Sequence, residues 1–237
     1  MATQRDGHVR VLVTGFGPFA KAKLNPTQTL VESLEEGSPL GACGSLERCV
    51  VCSVDCEKAT ECVATLTACA EDARGCESTS TELASSSTVV LLHLGVFSSA
   101  TSYRIERSAF NEATFRYPDC SGRQPQCEPI STEEGGIECC LKTTLPVDDL
   151  VTILRFKGHP CDVSDDAGRY LCNWIYFESL RAAKGANEKN KTNAVTNKTK
   201  RHSLFVHTPP FHVIAEETQK TFLNDLLHAV VDVCAVV

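Results

Sequence analysis

The chain has no positive excess, no long apolar run and no export-like beginning, and each lack removes a class of function. Lys and Arg together number 23 against 30 Asp and Glu, a formal charge of -7. A general nucleic-acid binder normally displays a basic face, so no nucleic-acid partner is expected. No window approaches the roughly eighteen consecutive apolar residues of a membrane span, so no membrane partner is expected either. The opening MATQRDGHVRVLVTGFG lacks the positive-then-apolar order of a secretory signal. A cytoplasmic location is the expectation, and with it the 14 cysteines read as reduced thiols rather than a disulfide framework. The sequons at Asn190 and Asn197 are then expected to stay unglycosylated. Internal repeats and a clear domain boundary are also missing. A chain of 237 residues, 42% hydrophobic and 22% charged, is expected to build one domain with a full core.

What is present follows an α/β pattern. Apolar, β-branched runs at residues 9–14, 48–54, 88–94 and 203–207 predict buried strands. Helical spacing predicts helices over 26–34, 57–73, 146–157 and 215–236. Asn25 precedes Pro26 as a capping residue for the first, and Gly158 stops the third. Residues 103–111 and 114–117 read as short extended segments, 78–87 and 123–136 as polar loops, and 161–163 as a brief strand. The alternation of strands and helices predicts a three-layer α/β/α sandwich with a mainly parallel, twisted central sheet. Residues 183–202, rich in Asn, Lys and Thr, are expected to form an exposed, mobile insertion rather than a basic docking tract.

One stretch, residues 164–180 (SDDAGRYLCNWIYFESL), draws the chemistry together. It places Cys172 after a glycine-containing turn and inside an apolar helical run, with Asp165 or Asp166 expected to cap the helix. A thiol in the first helical turn meets unpaired backbone N–H groups and the positive dipole end, and both favour the nucleophilic thiolate. A buried structural cysteine is the competing reading. Such a nucleophile needs a base, and imidazole serves both proton transfers near neutral pH; a carboxylate then holds the imidazole in one tautomer. In open α/β sheets reactive groups collect at the carboxyl ends of strands. His207 ends one predicted strand, the segment after Gly95 ends another, and the loop 15–19 ends a third. Glu106, in Tyr-Arg-Ile-Glu-Arg, is the candidate carboxylate. Spacing alone leaves open whether the three meet.

Four segments carry a resemblance. VLVTGFGPF with Asn25-Pro26-Thr27, then IERSAFN with FRYPDCSG, then DAGRYLCN, then FVHTPPF resemble, in order, the signature segments of type I pyroglutamyl peptidases, a cysteine peptidase family. The likeness extends from residue 11 to 211. It implies a catalytic triad of Cys172, His207 and Glu106 and a pyroglutamyl pocket lined by Phe16 and Phe19 and shaped by Asn25. It also implies an active-site arginine, Arg116, near the oxyanion region, and pocket-wall residues Tyr117, Tyr170 and Leu171. The implied activity is removal of N-terminal pyroglutamate from peptides through a thioester, without metal or cofactor. A pyroglutamyl group is an uncharged lactam, suited to an aromatic slot with a few backbone hydrogen bonds. A catalytically inactive relative that binds blocked termini is the alternative, and a nucleoside-processing enzyme of similar architecture a third reading. Monomer and homo-oligomer both stay open.

The chain departs from the family pattern in places. Gly17 stands at a commonly acidic position, and Ala20 and Lys21 replace a glycine pair. Val96 stands where bacterial members often have Gln, so this position is expected to serve the lactam through its backbone. The longer interval from Cys172 to His207 is accounted for by the insertion. Other signals are set aside. Gly15-Phe16-Gly17 lacks the third glycine of a dinucleotide fingerprint, and Pro18 undoes the helix start that pyrophosphate binding needs. Cys49 and Cys52, with Cys56 nearby, are spaced like zinc ligands, yet along a strand the pair points to opposite faces. The terminal Cys234-Ala235-Val236-Val237 matches a prenylation box only formally, and His93 reads as a satisfied core histidine.

Overall fold

The computed structural model describes residues 7–19, 24–72, 87–192 and 199–235. In chain order the elements are β1 (His8–Phe16), α1 (Pro26–Glu32), β2 (Pro39–Leu40), β3 (Gly44–Cys52) and α2 (Cys56–Asp72). Then come β4 (Ser87–Val96), β5 (Tyr103–Glu106), β6 (Ser108–Phe110), β7 (Cys140–Lys142), α3 (Val147–Phe156) and β8 (Cys161–Ser164). The last three are α4 (Leu171–Thr192), β9 (Lys200–Thr208) and α5 (Glu216–Cys234). Seven strands make one sheet in the order β2-β3-β1-β4-β9-β5-β8. β3, β1, β4 and β9 are parallel; β5 runs antiparallel to β9 and parallel to β8. The predicted mainly parallel sandwich is the fold found.

Alternation along each strand sorts the helices. Val9, Val11 and Val13 of β1, Val90, Leu92 and Leu94 of β4, and Leu204 and Val206 of β9 pack with α1, α3 and α5. Phe16 and Phe205, on the opposite face, pack with α2 and α4, as does Leu12 with α2. Both faces are covered, which is why the central strands read as continuous apolar runs. From β1 the chain crosses to β3 on one side and then to β4 on the other. This reversal opens a crevice at the carboxyl ends of β1 and β4, the usual ligand position in such sheets.

Several local expectations change. The single extended segment 103–111 is two strands. β5 joins the main sheet, and beyond Arg107 the chain enters a separate two-stranded sheet in which β6 pairs with β7. Residues 114–117 lie in no strand, although Ala113 makes an isolated bridge to Glu128. Neither aspartate caps α4: Asp165 pairs with Arg107, and Asp166 accepts from Gly168 N and Arg169. Gly168 does turn the chain, at φ 82°.

The expected loop at 183–202 is the largest departure, because α4 continues to Thr192 and β9 starts at Lys200. Asn187 donates to Arg201 O at 2.8 Å and accepts from Arg201 N at 2.9 Å, and Asn190 donates to Thr199 O at 2.7 Å. The polar residues thus tie the last turns of the helix to the start of the strand. Residues 193–198, and the predicted loop 78–86, lie outside the described residues.

Candidate active site

Glu106 is the last residue of β5, and Phe205 of β9 is its antiparallel partner. Side chains at 104 and 106 on β5 and at 205 and 207 on β9 therefore share one sheet face. That register brings together two residues 101 positions apart: His207 Nδ1 lies 2.7 Å from Glu106 Oε1. Glu106 is fully buried and His207 nearly so. A buried carboxylate is tolerable only when paired, and here the imidazole supplies the partner. The ring is walled by Phe205, edge-on at 4.8 Å between centroids, and by Phe97 at 5.8 Å.

Cys172 is the second residue of α4, where Trp174 N bonds back to Tyr170 O to close the first turn. Its N–H belongs to the set that a helix leaves without intrahelical acceptors. The thiol rests against Gly95 near the end of β4. A Cβ built at Gly95 would come within 2.9 Å of Cys172 Sγ and 2.6 Å of Phe205 Cζ, so only glycine leaves room. Asn173, fully buried, anchors the helix start by donating to Phe110 O and Glu112 O and accepting from Phe110 N. Burial alone would lower the His207 pKa, but the charge and hydrogen bond of Cys172, reinforced by Glu106, raise it to about 9. The arrangement favours a protonated imidazole beside Cys172 at neutral pH.

Phe16, Phe19, Tyr170 and Leu171 of the predicted pocket gather in one cluster beyond Cys172, toward β1. Gly15 lets α1 approach closely, since a Cβ there would meet Thr27 O at 2.5 Å. Thr27 Oγ1 accepts from Phe16 N at 3.0 Å, and Asn25, the side-chain cap of α1, donates to Gly17 O at 3.0 Å. Phe16 is buried, whereas Phe19 is half-buried with its ring 5.5 Å from Tyr170. Tyr170 meets Phe115 at 4.6 Å and donates from Oη to Pro118 O at 3.3 Å. Leu171 is buried beneath the same cluster. Val96, half-buried, ends β4 opposite Thr208. Arg116 and Tyr117 are exposed, outside the packed cluster.

Two residues of the quoted FRYPDCSG segment, given no role in the sequence reading, prove to be supports. Phe115, an unmarked residue of FRYPD, is fully buried against Tyr170. Asp119 pins this loop to α2, accepting from Cys56 N and Sγ, Ser121 N and Oγ, and Arg123 N. Burial would raise its pKa, but these hydrogen bonds hold it down at about 2. Their donors are backbone, thiol and hydroxyl groups from two segments, and only the fold assembles them.

Cys49 packs on one sheet face and Cys52 on the other, and no metal-ligating cluster exists among the described residues. His93 is buried, but it is satisfied on one side only: Nδ1 lies 2.7 Å from Thr14 Oγ1, Nε2 has no hydrogen-bond partner among the described residues, and burial lowers the pKa to about 3. Cys234 packs against the core at the end of α5, its thiol pushed up to about 12 by burial.

An α/β sandwich with a thiol, an imidazole and a carboxylate aligned along the carboxyl edge of its sheet defines a thiol-dependent hydrolase. Within that class, a family model described as pyroglutamyl peptidase matches residues 9–195, and the chain belongs to that family. His207 lies beyond the matched span. The chain is 32% identical over 179 residues to the pyrrolidone-carboxylate peptidase of Pyrococcus furiosus, covering 75% of this chain and 76% of that protein. The enzyme of the same name from Vibrio parahaemolyticus is 30% identical over 168 residues, covering 71% and 69%. Among solved structures, a mutant pyrrolidone carboxyl peptidase from Pyrococcus furiosus superimposes with a TM-score of 0.71 at 25% identity, covering 94% of this chain and 98% of that one. Pyroglutamyl peptidase I from Bacillus amyloliquefaciens shares the fold, with a TM-score of 0.72 at 22% identity over 94% and 97% of the chains.

Proposed function

We propose that this protein hydrolyses the N-terminal pyroglutamyl residue from peptides by covalent thiol catalysis, the whole chain acting as one catalytic domain. The observation that carries the reading is the buried His207–Glu106 pair beside Cys172, with the imidazole pKa raised to about 9. The lactam ring enters the aromatic cluster of Phe16, Phe19, Phe115 and Tyr170, where an uncharged group is desolvated at far less cost than a charged terminus. Arg116 and Tyr117 flank the entrance.

Cys172 Sγ attacks the carbonyl joining pyroglutamate to the next residue. The oxyanion that forms is met by backbone N–H groups at the start of α4. His207 gives its proton to the leaving amine as the C–N bond breaks, and Glu106 stabilises the charged ring until then. A water then loses a proton to the neutral His207 and attacks the thioester, and the proton passes on to Cys172 as the thiol leaves. Pyroglutamic acid and a free thiol result.

The complete array gives no support to the inactive alternative. The family and its substrate chemistry make N-terminally pyroglutamylated peptides the partners of this site. A reducing, cytoplasmic setting suits a free thiol nucleophile, and every described cysteine is unbridged. No described helix is long and apolar enough to cross a membrane.

The test pairs a fluorogenic pyroglutamyl amide with glutamyl and alanyl amides in reducing buffer. Selective release from the first is expected, falling to background in Cys172→Ala. Equal cleavage of all three, or activity surviving the substitution, would overturn the reading.

A further inference from the structure

Arg104 is a half-buried guanidinium that the proposed chemistry leaves unused. It lies directly opposite His207 in the antiparallel β5–β9 pairing, so its side chain shares the sheet face of His207 and Glu106. Its Cζ sits over the Phe97 ring, 4.3 Å from the centroid, and that same ring packs on His207. Stacking of this kind fixes a long side chain while keeping its charge. Two carboxylates that the register places on this face are otherwise engaged. Glu106 holds His207, while Asp162, paired with Arg104 across β8, takes Arg155 on one oxygen and Ser102 on the other. Arg104 makes no ion pair with any described residue. A fixed cation with open donors beside a reaction centre is suited to an anionic ligand group.

The sheet order says which part of the substrate would supply that group. Along the carboxyl edge, the aromatic cluster lies at β1, Cys172 stands over Gly95 of β4, His207 projects from β9, and Arg104 from β5. With the lactam at β1 and the scissile carbonyl over Cys172, the leaving amine points toward His207. The residue that carries this amine is then directed toward β5. Resting on the proposed peptidase reading, we infer that Arg104, braced by Phe97, binds a carboxylate on the first residue of the leaving group. Two sources share that chemistry: an acidic side chain, and the terminal carboxylate of a pyroglutamyl dipeptide.

Four substrates separate the sources, with release of pyroglutamate as the readout. Pyroglutamyl-alanine is compared with its C-terminal amide, and pyroglutamyl-glutamate amide with pyroglutamyl-glutamine amide. At least one charged substrate should exceed its neutral counterpart in kcat/KM by about tenfold, the scale of one partly solvated charge-assisted contact. The pair showing it identifies the source. Arg104→Gln should bring that ratio toward one. Raising the ionic strength from about 0.05 to about 0.5 M should shrink it in the unaltered protein, a readout that does not depend on the variant folding. Ratios near one in both pairs, a ratio insensitive to salt, or one that survives in Arg104→Gln would overturn the inference. Hydrolysis without charge preference sinks only this inference, whereas no hydrolysis of any of the four sinks the peptidase reading as well.

Discussion

The same three central strands present two different faces. Toward α1, α3 and α5 they offer Val9, Val11 and Val13, then Val90, Leu92 and Leu94, then Leu204 and Val206, all buried and aliphatic. Toward α2 and α4, their carboxyl-terminal halves offer Leu12, Thr14 and Phe16, then Leu91, His93 and Gly95, then Ser203, Phe205 and His207. Neighbouring residues thus belong to separate tasks. The aliphatic face supplies water exclusion and rigid packing. The other carries glycine, aromatic rings and buried titratable groups, which add little to stability and must be held in place by the rest. Placement by strand parity lets one sheet both anchor the fold and aim a thiol, an imidazole and a carboxylate.

Changing the active face should alter chemistry more than folding, and the largest such effect is expected at Glu106. In Glu106→Gln the amide can favour the wrong imidazole tautomer, and kcat should fall by about 10³ to 10⁴. In the unaltered protein, kcat/KM should decline above about pH 9 as His207 loses its proton; the residual activity of the variant should decline at lower pH. The stability linkage has the same sign. His207 is raised above its unfolded value of 6.5, so its contribution is complete below that value and lost as pH rises through about 9. A pH–rate profile with identical upper limbs in both proteins would contradict the assigned pairing.

Leu94 and Gly95 divide the two tasks most sharply. Gly95→Ala should lower kcat/KM by about a hundredfold through displacement of Cys172 or Phe205. Leu94→Ala should cost about 2–5 kcal/mol of stability, while the molecules that remain folded keep their turnover. Denaturant titration beside active-site-normalised rates would show the contrast, and the same pattern in both variants would erase it. The smallest effect is expected far from either face. Asn187→Ala removes two hydrogen bonds to Arg201 and should cost about 1–2 kcal/mol with kcat/KM unchanged. A measurable loss of turnover would mean that the end of α4 reaches the site energetically.

Much of this was legible in the sequence because buried parallel strands announce themselves. The runs around Val11, Val51, Leu91 and Phe205 predicted β1, β3, β4 and β9, and Gly158 marked the end of α3. Cys172, His207 and Glu106 stood out through the motifs around them. Their convergence depends on the reversed direction of β5, and no periodicity in a four-residue strand reveals direction. β6 and β7 are three residues each, too short for a pattern. The later turns of α4 escaped notice because Asn187 and Asn190, ordinary loop residues by composition, are used as amide clamps on a distant strand. Arg104 and Gly95 acquire meaning only from register, which sets what each strand position faces.

The position of β9 in the sheet carries a consequence for how the molecule is made. It is the last of the described strands, yet it lies inside the sheet, joining β4 on one side to β5 on the other. Without β9, no strand pairing would link β3–β1–β4 to β5–β8, and each group would carry a bare edge where β9 now sits. Such edges invite pairing with other chains. The thiol then stands near one fragment and the carboxylate on the other. Insertion of β9 therefore closes the seam and sets His207 against Glu106 in the same step, so that assembly of the sheet and assembly of the reactive array are one event.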